Sequence, residues 1–145
     1  VKLSQGKKSI DIEKIDADMH NQQEKLMGQL RAGAYLKQLR TDNDLSLADL
    51  GKKLGVSAAY LSNIEQGVKS MSDHFIRQIS DYYEIDETCL FELLGRVPLL
   101  AREQLDEANS LQDLLVEIKR DKKLTDEKKQ KLFDQMYKLY KNFPD

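Results

Sequence analysis

Two intervals that open on serine and close on glycine constrain this chain more than any other feature: Ser46–Gly55, SLADLGKKLG, and Ser57–Gly67, SAAYLSNIEQG. A serine side chain accepts a hydrogen bond from the free N–H groups of a first helical turn, and a glycine just past the last turn adopts the left-handed conformation that stops a helix. Each interval therefore predicts a short helix, Leu47–Leu54 and Ala58–Gln66. Leu47, Leu50 and Leu54 fall on one face of the first, and Asp49 sits near the positive end of its dipole. Only Gly55, Val56 and Ser57 separate the two. Two capped helices joined so tightly form a helix-turn-helix unit.

The flanking segments supply partners for that unit. GAYLKQLR, Gly33–Arg40, places Leu36 and Leu39 on one face with Tyr35 beside them, and TDND then breaks the helix. Ser72 caps a fourth helix through about Tyr83, with Phe75, Ile76, Ile79 and Tyr83 turned inward, and Asp86 caps a fifth, Glu87–Leu94, that ends at Gly95. Five helices with one leucine-rich core make a self-sufficient bundle. Residues 1–31 read as an N-terminal extension: a polar start, SQGKKS, then a helix from about Ile10 with Ile12, Ile15, Met19, Leu26 and Leu30 at helical spacing and Gln22 or Gln23 interrupting the stripe. It packs on its own domain or on a partner, or Lys7 and Lys8 form an arm that touches phosphate. Pro98 marks the next boundary. Beyond it one or two helices carry Leu105, Leu111, Leu114, Leu115 and Ile118, RDKK is a polar turn, and Thr125 opens a last helix with Leu132, Phe133, Met136, Leu139, Tyr140 and Phe143. The expected organisation is thus 1–31, 32–97 and 98–145, all-α, a five-helix bundle with a helical extension before it and a helical hairpin after it. A hairpin of under about 50 residues has too little core to stand alone, so its stripes need a partner surface.

Composition narrows the function classes. The one cysteine, Cys89, excludes an internal disulfide, and no Cys/His spacing suits a metal; no cofactor is expected. His20, His74 and Cys89 lie on separate segments, without a glycine-rich phosphate loop or a paired-carboxylate motif, so the chain does not read as an enzyme. No run approaches the ~20 apolar residues of a membrane span and no signal-peptide pattern appears, which predicts a cytoplasmic protein with no membrane partner. The formal net charge is −2. It is unevenly spread: Lys37–Lys69 holds five basic against four acidic residues, and Ser70–Arg96 two against six.

The run from Gly33 to about Pro98 resembles the Cro/phage-repressor (XRE-type) helix-turn-helix regulators, on GAYLKQLR, LSLADLGKKLGVSAAYLSNIEQG and HFIRQISDYYEIDETCLFELL. The resemblance implies a lambda-repressor-like fold with Leu50, Leu54, Val56, Leu61 and Ile64 in the core and Gly55 at the turn. It implies that Glu65 pairs with a basic residue of the first helix, for which Arg40 is the natural candidate. Ser57, Ala58, Ala59, Ser62 and Asn63 match groove-facing positions, and Ser46, Lys69 and Ser72 match positions along the phosphate backbone. Leu47 stands where the family often has a glutamine that contacts phosphate, Met71 where proline is common, and Gly51 where alanine is frequent.

In function, the resemblance implies a sequence-specific regulator of transcription, a dimeric repressor that reads a pseudo-palindromic operator through helix 58–66. Asn63 offers its amide to adenine, Ala58 and Ala59 meet thymine methyl groups, and Gln66 lies at the end of the same face. Tyr60 either packs its ring on helix two with its hydroxyl toward phosphate or is a core-edge residue. Dimerisation is expected through the hairpin, by Leu111, Leu115, Leu132, Met136, Leu139 and Tyr140; the hairpin is equally a place for an antagonist protein or a regulatory protease to act. The alternative function is a protein-interaction module, antitoxin-like or an adaptor, with weak or partner-dependent DNA binding.

Overall fold

The computed structural model describes residues 2–5 and 8–144. Lys7 lies outside them and the Lys8 side chain is not described, so the phosphate-arm expectation finds no test there. Two antiparallel strands come first, β1 (Lys2–Gln5) and β2 (Lys8–Asp11), paired with Lys2 opposite Asp11 and Gln5 opposite Lys8. This hairpin corrects the expected helix start near Ile10: Asp11 is the cap, its side chain accepting from Lys14 N, and α1 runs from Ile12 to Asp42. The chain is otherwise all-α, with α2 (Leu47–Leu54), α3 (Ala58–Glu65), α4 (Asp73–Tyr83), α5 (Glu87–Leu93), α6 (Leu99–Glu107), α7 (Asn109–Arg120) and α8 (Asp126–Lys141).

The extension and the first helix of the bundle are one 31-residue rod, about 46 Å long at 1.5 Å per residue. The division expected at residue 31/32 falls inside it. No proline interrupts the segment, and its two glycines, each costing roughly 1 kcal/mol of helix propensity, are placed where side chains would collide. A Cβ on Gly28 would sit 2.6 Å from the Leu93 carbonyl oxygen, and one on Gly33 would run into the carbonyl of Ile64. Close approach of α1 to α5 and to the end of α3 is what those positions contribute.

The chain separates into two compact units, Val1–Leu99 and Leu100–Asp145. The first has a continuous core of Ala32, Leu36, Leu50, Leu54, Leu61, Ile64, Met71, Phe75, Ile76, Ile79, Leu90 and Phe91, with Leu47, Val56, Tyr60 and Tyr83 packed at its margin. Long-range polar bonds tie the helices over this core. Arg77 makes a two-pronged pair with Glu87 at 2.9 and 2.8 Å, and Arg96 donates to the Met71 carbonyl at 2.7 Å. In the second unit, Ile118 is the buried hydrophobic residue among those described. Thr125 caps α8 as its sequence predicts, accepting from Lys128 N, and Gln112 donates to the Leu105 carbonyl at 2.6 Å, joining α7 to α6.

Candidate nucleic-acid interface

The interface is assembled from local caps first. The Ser46 hydroxyl accepts from Asp49 N at 3.0 Å and donates to the Asp49 carboxylate at 2.7 Å, closing the start of α2. Ser46 thereby holds the Asp49 carboxyl below the usual carboxylate range, through its side chain first and its backbone second. Ser57 accepts from Tyr60 N at 3.0 Å and opens α3; Ser72 accepts from Phe75 N at 3.1 Å and opens α4. Between α2 and α3, Gly55 sits at φ 70°, the left-handed region its missing side chain permits. Gly51 explains why the turn is tight: a Cβ there would lie 2.5 Å from the Val56 carbonyl oxygen, and Val56 N donates back to the Gly51 carbonyl at 2.9 Å.

One face of α3 is fixed by burial. Leu61 and Ile64 are fully enclosed, and Glu65 is clasped by Arg40, whose Nε and Nη2 reach the two carboxylate oxygens at 2.6 and 3.0 Å while Nη1 donates to the Leu45 carbonyl at 2.7 Å. The pair has side-chain exposures of 12% and 5%, so it is screened little by water. Glu65 raises the Arg40 guanidinium further above its ordinary value by that hydrogen bond. Arg40 is the partner that the family resemblance implied for Glu65, and it links α1, the α1–α2 loop and α3 at one point. Gln29 donates to the Gly67 carbonyl at 2.8 Å and Gln78 to the Leu54 carbonyl at 2.7 Å, holding the ends of α3 and α2 from outside.

The opposite face of α3 is left to solvent. Ala59, Asn63 and Gln66 are exposed, Ser62 is half-buried between them, and their spacing of three and four residues makes a single strip. Within it Gln66 Nε2 donates to Ser62 Oγ at 3.1 Å, whereas the Asn63 side chain bonds to no described residue. Ala58 is half-buried against the turn, and Ser57 is exposed but engaged as a cap.

Tyr60 sits at the edge of the core, the second of the two positions expected for it. Its ring meets Phe75 of α4 edge-on, centroids 5.4 Å apart at 88°, rather than helix two, and Lys69 Nζ stands 5.0 Å above the ring. Burial pushes its hydroxyl upward in pKa, so it stays a neutral donor. Leu47 is half-buried against the core, which leaves Ser46, Lys69 and Ser72 as the exposed members of the flanking set. Gln29, Gln78 and Arg96 were not identified from sequence. Their partners lie 38, 24 and 25 residues away, and no local pattern marks such bonds.

Of the six hairpin residues, Leu115, Leu132 and Met136 are half-buried, while Leu111, Leu139 and Tyr140 are exposed by 38%, 67% and 72%. Among the described residues no helix is long and apolar enough to cross a membrane, and no group of three or more His, Cys, Asp or Glu residues is placed to hold a metal.

A family model described as a helix-turn-helix domain matches residues 31–93. Among solved structures the chain is similar to the clp gene regulator ClgR from Corynebacterium glutamicum, at 25% identity over 58% of this chain and 89% of that one, with a TM-score of 0.42. A search of curated proteins gives no match. The match to the helix-turn-helix model falls on residues 31–93, overlapping the run from Gly33 to about Pro98 that resembles the Cro/phage-repressor regulators.

Proposed function

We propose that this protein is a DNA-binding regulator of transcription, a dimeric repressor that reads a pseudo-palindromic operator with α3. The observation that carries the reading is the strip Ala59, Ser62, Asn63 and Gln66, bare on the outside of a helix whose inner face is held by Leu61, Ile64 and the Arg40–Glu65 clasp. Small side chains let the backbone approach base edges, Asn63 supplies a donor and an acceptor for adenine, and Ala59 suits a thymine methyl group. Ser57, Ala58, Tyr60 and Lys69 border that strip, and Ser46 and Ser72 open the neighbouring helices toward phosphate.

A single copy of this reader has few cations, so its affinity depends on a second copy with half-sites about one helical turn (~34 Å) apart. The exposed Leu139 and Tyr140, with Leu111, supply an apolar face for that pairing. Selection from a random duplex pool tests the reading. The expected result is an enriched inverted repeat whose recovery is lost with Asn63→Ala. Absence of any enriched motif refutes sequence-specific reading, and enrichment of a lone half-site refutes the dimer.

A further inference from the structure

The charge of the C-terminal unit is segregated. Residues 97–118 hold one basic against five acidic side chains, whereas residues 119–131, which include the turn between α7 and α8, hold seven basic (Lys119, Arg120, Lys122, Lys123, Lys128, Lys129, Lys131) against three acidic. Helix electrostatics accounts for some of these cations. Lys119 and Arg120 occupy the last turn of α7, where the dipole favours positive charge. Lys129 Nζ reaches the Lys119 carbonyl at 3.5 Å, and Lys131 pairs with Glu127 at 3.3 Å.

Lys122, Lys123 and Lys128 are different. All three are exposed and form no ion pair with the described residues, and Lys128 sits in the first turn of α8, the end where the helix field opposes a cation. Packing accounts for the charge of none of the three, and the helix field opposes that of Lys128. A polyanion relieves the mutual repulsion of such a cluster by exchanging condensed counterions for it. The reading segment, Lys37–Lys69, has only one cation in excess.

We propose that the α7–α8 turn is a second, sequence-independent contact surface for the phosphate backbone of double-stranded DNA, with Lys122, Lys123 and Lys128 as its contacting residues. The inference rests on the reading of this chain as a DNA-binding protein. It divides the labour: α3 discriminates sequence, and the turn supplies electrostatic affinity that α3 lacks.

The test is equilibrium binding of the full chain to two labelled duplexes of equal length, one with the selected site and one scrambled, across a salt series. The variants are the triple substitution Lys122→Ala, Lys123→Ala, Lys128→Ala, and the same three positions changed to arginine. The alanine variant is expected to lower the slope of log affinity against log salt by roughly 2.7, at about 0.9 per lost phosphate contact. The loss should be the same on both duplexes, with the preference between them unchanged, and the arginine variant should keep the wild-type slope. An unchanged slope in the alanine variant overturns the proposal. So does a slope change that appears only together with loss of self-association in sedimentation, since the cluster is then a contact for the acidic stretch of a second copy. If wild-type protein shows no preference between the duplexes, sequence reading by α3 fails, while a slope loss on the scrambled duplex still upholds the phosphate surface.

Discussion

The two units of this protein solve the burial problem in different ways. In the first, twelve hydrophobic residues, eleven from five helices and Met71 from the connection between α3 and α4, enclose one another, glycines let backbones touch, and a buried ion pair pins α3. Among the described residues of the second, Ile118 is the buried hydrophobic one, while Leu139, Tyr140 and Phe143 are exposed by 67%, 72% and 71%. The first unit holds α3 rigidly on its inner face, and the second leaves large apolar side chains in contact with water.

Leu61→Ala against Leu139→Ala is the most forceful way to break that contrast. The first deletes a fully enclosed side chain and should cost about 3–5 kcal/mol in denaturant unfolding. The second should change unfolding of the isolated chain by less than about 0.5 kcal/mol while weakening self-association in sedimentation. Equal costs at the two positions would erase the distinction. Next in size is the clasp. Arg40→Met strands the Glu65 carboxylate in a site only 5% exposed and should cost roughly 3 kcal/mol; adding Glu65→Leu should recover most of it, and an additive double variant would show that the two groups act independently.

Gly51→Ala sharpens the comparison at the turn. Helix propensity alone predicts a gain of about 1 kcal/mol, but the new Cβ meets the Val56 carbonyl, so a net loss of about 1–2 kcal/mol is expected. A stabilised variant would mean that α2 and the turn separate easily. The smallest effect belongs to Asp49. Its folded pKa lies below the ordinary carboxylate value, so its contribution is present above that value and is lost as pH falls through the folded one. Asp49→Asn should therefore flatten the acid limb of the stability profile below about pH 4 and leave neutral-pH DNA selectivity unchanged, as a pH series of thermal melts and a neutral-pH binding assay will report.

Much of the framework around α3 was legible in the sequence. Ser46, Ser57 and Ser72 act as caps, Gly55, Gly67 and Gly95 take positive φ, and Glu65 finds Arg40. The strip on α3 follows from the same spacing that places Leu61 and Ile64 inside. The N-terminal hairpin was not legible. Four-residue strands carry almost no periodicity, and Gly6 between two short polar runs was the one available signal. Nor was the ring partner of Tyr60: an aromatic residue at the core margin can pack on any neighbour, and the edge of Phe75, fifteen residues on, is chosen by how α4 crosses α3.

By itself the sequence determined the caps, the turn glycines and the leucine faces, because each depends on groups three or four residues apart, held at those separations by the geometry of one helical turn. Tertiary structure decided that α1 continues unbroken from the extension into the bundle, that Gly28 and Gly33 are contact points, and that Gln29 and Gln78 secure the ends of α3 and α2. It also decided which stripes of the C-terminal unit stay exposed. These outcomes depend on groups tens of residues apart, whose meeting is set by the packing of whole helices and by no local preference along the chain.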